Sequence, residues 1–267
     1  MVRQILIVSI LSLCFIMLFF YIFQRHLIYF PTHQTLNLQD YHATDMVLVS
    51  LYTKDNLVLT SWYKPALHNQ PTVLFLHGNA GHIGYRMPLA RQFINAGFGI
   101  FLLEYRGYGE NRGSPTEEGL YEDARTALRF LYENEVALNQ IILYGESLGT
   151  GIATKLAAEN TVCAVILQSP FTSLASLSRY HYPWLIIKPW DQFDSLKRIK
   201  QIHAPLLVLH GKRDQVVPFD EGLTLFNQAN EPKKMLVFDD KNHNDLWDSP
   251  DFYKEIFHFI RMHCLNK

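Results

Sequence analysis

The sequence predicts an α/β fold: a mostly parallel, eight-stranded sheet with helices on both faces, a short cap between the sixth and seventh strands, and one apolar helix ahead of it all. Three observations carry this prediction. Short, nearly continuous apolar runs alternate with segments of helical periodicity from Thr72 to the end, as strands buried on both faces and their crossover helices do. A glycine-bracketed serine stands where one such run meets a helix. Finally, residues Ile5 to Phe23 carry no charge and are dominated by Ile, Leu and Phe, residues that favour membrane insertion.

The uncharged stretch, taken as a helix, nearly spans an apolar bilayer core about 30 Å thick. A cleaved signal peptide has a shorter apolar run followed by small residues, whereas this one continues into Tyr21-Ile22-Phe23-Gln24-Arg25-His26. Length and flanks therefore favour an anchor, residues 1–30, over a leader. Leu27-Ile28-Tyr29-Phe30-Pro31 suits a position near the headgroups or against the domain. Arg3 with the amino terminus on one side balances Arg25 on the other, so the membrane orientation stays open.

Residues 31–45 read as a polar linker, and residues 46–267 as one α/β domain. Met46 to Tyr52 and Leu57 to Tyr63 alternate as half-exposed strands across a Lys54-Asp55-Asn56 turn, an antiparallel edge. The buried strands follow at Val73–Leu76, Gly99–Glu104, Ile141–Tyr144, Ala164–Leu167, Leu206–Leu209 and Met235–Phe238. Helices are expected at Tyr85–Ala96, Glu117–Asn134, Leu148–Glu159, Phe219–Gln228 and Pro250–His263. Strand, helix, strand repetition implies right-handed crossovers, and ligands then bind at the carboxyl ends of the strands.

Composition narrows the partners. With 24 basic and 25 acidic residues no global field exists to gather nucleic acid or a strongly charged substrate, so a small or apolar molecule is expected. The three cysteines, Cys14, Cys163 and Cys264, show no framework spacing and are expected to be unpaired, mostly buried thiols. No His/Cys cluster has zinc-like spacing, and neither a metal nor a cofactor is expected.

Gly145-Glu146-Ser147-Leu148-Gly149 lies between strand and helix, the setting of a nucleophile elbow, where a sharp turn exposes the serine hydroxyl above the sheet. The amide of Leu148 opens the helix and points to the same place, ready to donate to a developing oxyanion. A serine hydroxyl is a weak nucleophile near neutral pH and needs a base oriented by an acid. Those follow the serine in chain order on loops after later strands. Asp214, after Leu206–Leu209, and His243, after Met235–Phe238, occupy such loops. The rivals Asp220, Asp239 and Asp240, and the histidines at 210, 258 and 263, sit in a helix start, on the histidine's own strand exit, in a strand end or in the last helix. A glycine-rich turn, His77-Gly78-Asn79-Ala80-Gly81, follows the first parallel strand and can present the Asn79 amide as a second oxyanion donor.

Together with Leu27–Pro31, Glu104-Tyr105-Arg106-Gly107-Tyr108-Gly109, Ser169-Pro170-Phe171-Thr172-Ser173, His210–Asp214 and Asn242–Asp245, these motifs resemble the α/β-hydrolase superfamily. Within it they resemble the small membrane-anchored, serine aminopeptidase-like branch. The resemblance implies a triad of Ser147, Asp214 and His243 with backbone donors at Asn79 and Leu148, and a structural role for Arg106 and Tyr108. One departure stands out: Asn242 replaces a glycine common before the histidine in relatives. The segment 172–203, with Tyr180, Tyr182, Trp184, Leu185, Ile186, Ile187 and Trp190, supplies the cap. It can form an acyl pocket or membrane-facing surface, or simply a helix packed into the core. With the anchor, it directs the expectation to ester or thioester bonds of lipophilic acyl groups. A peptidase, or a membrane scaffold without catalysis, is the alternative.

Overall fold

A computed structural model describes residues 1–185 and 187–265; Ile186 of the expected cap cluster lies outside the described residues. The eight strands of the main sheet are β1 (Val47–Tyr52), β2 (Val58–Lys64), β3 (Thr72–Leu76), β4 (Gly99–Leu103), β5 (Ile141–Glu146), β6 (Ala164–Gln168), β7 (Leu206–Gly211) and β8 (Lys233–Phe238). Their order across the sheet is β8-β7-β6-β5-β3-β4-β2-β1. The β1–β2 and β2–β4 pairs are antiparallel and the rest are parallel. The direction of the sheet's growth reverses between β3 and β5, which opens a crevice at their carboxyl ends.

Helices α1 (Val2–Ile28), α2 (Met87–Asn95), α3 (Glu117–Glu133), α4 (Leu148–Glu159), α5 (Leu174–His181), α6 (Ser195–Arg198), α7 (Phe219–Gln228) and α8 (Asp251–Ile260) complete the chain. Because successive strand residues point to opposite faces, each buried strand feeds two cores. Leu74, Leu76, Phe101, Leu103 and Leu143 pack with Leu120, Ile152 and Leu225 of α3, α4 and α7. Val73, Phe75, Ile100, Leu102 and Tyr144 pack with Phe93 and Phe252 of α2 and α8. Thr116 caps α3 through its side chain, and Glu117 and Glu118 occupy the first turn, where the helix dipole favours negative charge. The expected strands and crossover helices stand within a few residues of these bounds.

Residues 30–45 are ordered against the domain. Phe30–Pro31 pairs in parallel with Ala80–Gly81, the Thr32 amide donates to the Gly81 carbonyl at 3.1 Å, and a 3-10 turn at Leu38–Tyr41 follows. Helix α1 is long and apolar enough to cross a membrane, with mean hydropathy 2.9 in its most apolar window.

The cysteines depart from the expectation of three unpaired thiols. Cys163 and Cys264 form a disulfide, with α-carbons 5.7 Å apart, and only Cys14 is a free thiol. The two half-cystines are 101 residues apart, and only the packing of α8's carboxyl end beside the start of β6 brings them together.

Candidate active site

The turn from β5 into α4 holds Ser147 at φ 50° and ψ −116°, a conformation that a side-chain-bearing residue adopts only when its surroundings impose it. The Ser147 amide donates to the Gln168 carbonyl at 2.9 Å, and its carbonyl accepts from the Thr150 amide and hydroxyl. The flanking glycines are a steric necessity. A Cβ on Gly145 would lie 2.6 Å from the Gly149 carbonyl oxygen, and one on Gly149 would lie 1.9 Å from that of Leu76. Glu146, between them, takes two bonds from the Arg86 guanidinium at 2.9 and 3.0 Å. Burial alone would raise its carboxyl, but Arg86 outweighs burial and holds it below its ordinary value.

Asp214 follows β7 in a tight turn in which its Oδ1 accepts from the amides of Val216 and Val217 at 2.9 and 2.7 Å. Oδ2 is thereby left for the His243 Nδ1 at 2.7 Å, and the opposite ring nitrogen, Nε2, lies 3.0 Å from the Ser147 Oγ. A nitrogen facing a carboxylate must carry the proton, so Nε2 presents its lone pair to the serine. Burial pushes Asp214 up; the contacts with His210 and His243 and the backbone amide outweigh it and hold the carboxyl well below the usual range.

Asn242 is not among the residues with a positive φ. Its side chain bridges the two loops instead: Oδ1 accepts from the Gln215 amide at 3.0 Å and from the His243 amide at 2.8 Å. A glycine there could make neither bond. Asp220 lies in the first turn of α7, and Asp239 and Asp240 are exposed beside Lys212 and Lys241.

His210, near the end of β7, stands beside Asp214. It is fully buried, donates from Nε2 to the Val217 carbonyl at 2.9 Å and lies 3.5 Å from Oδ2 of Asp214, too long for a hydrogen bond but close enough to steady the carboxylate. The available signal was Gly222 inside α7, since glycine costs a helix interior about 1 kcal/mol relative to alanine. A Cβ there would sit 2.2 Å from Nδ1 of His210.

Asn79 stands beyond β3, on a loop whose Gly78 would bring a Cβ to 3.4 Å from that of Ser147. Its carbonyl accepts from the Phe30 amide at 2.9 Å and the Tyr108 hydroxyl at 2.8 Å, and its Nδ2 donates to the Ile28 carbonyl at 2.8 Å. Among the described residues, no backbone acceptor is paired with the Asn79 or Leu148 amide. His77 is buried below, with Nδ1 2.7 Å from the Gly78 carbonyl and Nε2 3.2 Å from Glu104. Arg106 ties the neighbouring loop to Asp55 and Asp123.

Beside Ser147, Asn79 and Leu148 opens a cavity of about 420 Å³, within the range of small-ligand sites. Leu174, Leu177, Leu185 and Ile187 of the cap line it, and α5 has no buried residue. The first part of the cap segment thus forms a pocket wall, while Phe193, Ile199 and Ile202 near its end pack into the core. The cavity's other wall, unforeseen from the sequence, comes from Phe20, Gln24, Leu27 and Ile28 of α1.

Known proteins share the fold and parts of the sequence. A family model described as serine aminopeptidase, S33, matches residues 68–193. The chain is 38% identical over 240 residues to an uncharacterized protein of Mycobacterium tuberculosis, covering 86% of this chain and 84% of that one. It is 34% identical over 200 residues to lysophosphatidylserine lipase ABHD12 of Rattus norvegicus, covering 66% of this chain and 50% of the lipase. An esterase of Pyrococcus furiosus superposes with a TM-score of 0.74 at 19% identity, covering 89% of this chain and 98% of the esterase, a likeness of fold.

Proposed function

The chain belongs to the α/β-hydrolase superfamily, and from that premise we propose that it is a serine hydrolase of lipophilic carboxylic esters or thioesters, held at a membrane by α1. One observation carries the reading: a single imidazole lies 3.0 Å from the Ser147 hydroxyl and 2.7 Å from a buried carboxylate, at the mouth of an apolar cavity.

In this mechanism His243 takes the proton of Ser147 as the hydroxyl attacks the substrate carbonyl. Asp214 holds the ring in the required tautomer and stabilises the imidazolium. The amides of Asn79 and Leu148 receive the oxyanion, a preorganised interaction whose loss costs on the order of 100- to 1,000-fold in turnover per donor. His243 then protonates the leaving group, and water, deprotonated by the same ring, releases the acid. Residues 1–30 act as the anchor, 31–45 as the connection and 46–267 as the catalytic domain.

The lipase relative supports a lipophilic acyl group. Against an aminopeptidase, which must hold a substrate ammonium, the described residues lining the cavity include no carboxylate. Fluorophosphonate labelling of the wild type, lost in Ser147→Ala, tests the nucleophile. A series of p-nitrophenyl esters run beside aminoacyl amides tests the substrate class, and preference for the amides would reverse the choice.

A further inference from the structure

The last two turns of α1 make bonds that a simple tether does not need. Gln24 is buried, and its Oε1 accepts from the Trp190 amide at 2.6 Å. Arg25 donates to both oxygens of Asp191, at 3.0 and 3.3 Å. The same carboxylate accepts from the Tyr29 hydroxyl at 3.0 Å and from the Glu117 amide at the start of α3 at 3.1 Å. Phe20 meets Trp184 edge to face with ring centres 5.6 Å apart, and Tyr21 meets Trp190 at 5.0 Å. Helix end, cap and domain are one bonded unit.

The inner side of that unit is the cavity. Ile28, whose carbonyl binds the Asn79 side chain, marks the catalytic end. Phe20 lies eight residues back along α1, about 12 Å away at 1.5 Å per residue, where the helix leaves the domain and continues as the apolar span. Around that exit Tyr182, Trp184 and Trp190 are each about half exposed, residue types that favour the membrane–water boundary. Phe30, two residues after α1, lines both this cavity and a second one of about 560 Å³ that is lined also by Arg86, Glu146 and Asn244.

Resting on the serine-hydrolase reading, we infer that α1 is a wall of the acyl site, and that the substrate is a membrane lipid ester. Its acyl chain enters from the bilayer and lies along α1 from Phe20 to Ile28, with its polar part turned past Phe30 toward the second cavity. Apolar surface moved from bilayer to cavity by this path is never exposed to water, the step that opposes release of a lipid chain.

The test uses the full chain in phosphatidylcholine vesicles and a long-chain alkyl fluorophosphonate with a diazirine at the chain's end. The Ser147 oxygen displaces fluoride to form a P–O bond, the proton leaving through His243. Irradiation then marks whatever the chain end touches. Cross-links mapping to residues 20–28 are expected; cross-links confined to Trp247 or Tyr253 of the second cavity would overturn the inference. Absence of phosphonylation before irradiation would instead overturn the serine reading beneath it.

Chain-length selectivity gives an independent readout, because one methylene in an apolar pocket changes kcat/KM by roughly 10-fold or more. The dodecanoyl-to-butyryl ratio of p-nitrophenyl esters should fall about 10-fold in Phe20→Trp and not in Phe20→Ala, with active enzyme counted by phosphonylation. An identical ratio in wild type and both variants would show that α1 does not bound the chain.

Discussion

Replacing Asp214 by asparagine tests the site with little change of shape. The asparagine oxygen can keep the two turn bonds that Oδ1 accepts from Val216 and Val217 at 2.9 and 2.7 Å, so the loop should stay folded. The amide nitrogen then stands where Oδ2 met Nδ1 of His243 at 2.7 Å. Two donors cannot face each other, so the ring gives up its Nδ1 proton and carries it on Nε2, pointing at Ser147. The lone pair that should deprotonate the serine, 3.0 Å away, is gone. In a serine-protease triad the equivalent change costs about 10⁴ in kcat, which is about 5.4 kcal/mol of barrier. A loss of that order is expected here in steady-state hydrolysis of p-nitrophenyl butyrate at neutral pH, in a variant that stays folded although it loses the stabilisation of the buried carboxylate. A loss under about tenfold in a folded variant would mean that His243 is not oriented through Asp214, and the mechanism would have to be abandoned.

Three further outcomes follow from the same contacts. Gly149→Ala places a methyl against the Leu76 carbonyl at 1.9 Å; backbone cannot yield as a side chain can, so a cost of about 3 kcal/mol or more should appear as a lowered thermal midpoint, and an unchanged midpoint would contradict the elbow geometry. The carboxyl of Asp214 is held below its ordinary value, so it contributes stability that is present above its unfolded value of about 3.9 and lost as pH falls toward the folded one. Acid denaturation followed by tryptophan fluorescence should therefore be less steep below about pH 4 in Asp214→Asn, and superimposable curves would refute this. Arg25→Ala removes two bonds to the buried Asp191; as Arg25 is itself partly exposed, about 1–2 kcal/mol of cap docking is at stake. Faster proteolysis of the cap in micelles is expected, and unchanged cleavage would show that the clamp is not what holds it.

The sequence by itself determined the architecture. Buried strands declare themselves as continuous apolar runs and crossover helices as period-3.6 segments, because each element must bury its own face locally. The elbow was legible for a similar reason: Gly145 and Gly149 are required by contacts within one turn of chain and the strand beside it. The candidate acid and base could be ranked by chain order and loop position alone.

What only the tertiary structure decided are contacts between segments remote in the chain, which leave no periodic trace. Arg25 reaches Asp191 across 166 residues, Cys163 meets Cys264 across 101, and His210 is placed beside Asp214 only because Gly222 leaves room on another element. The cap segment's apolar residues suited either a core or a pocket, since composition records that a surface avoids water and not which surface it meets. In the folded chain they meet both, Phe193 and Ile199 in the core and Leu177 and Leu185 in the cavity beside Ser147, whose other wall is the end of α1.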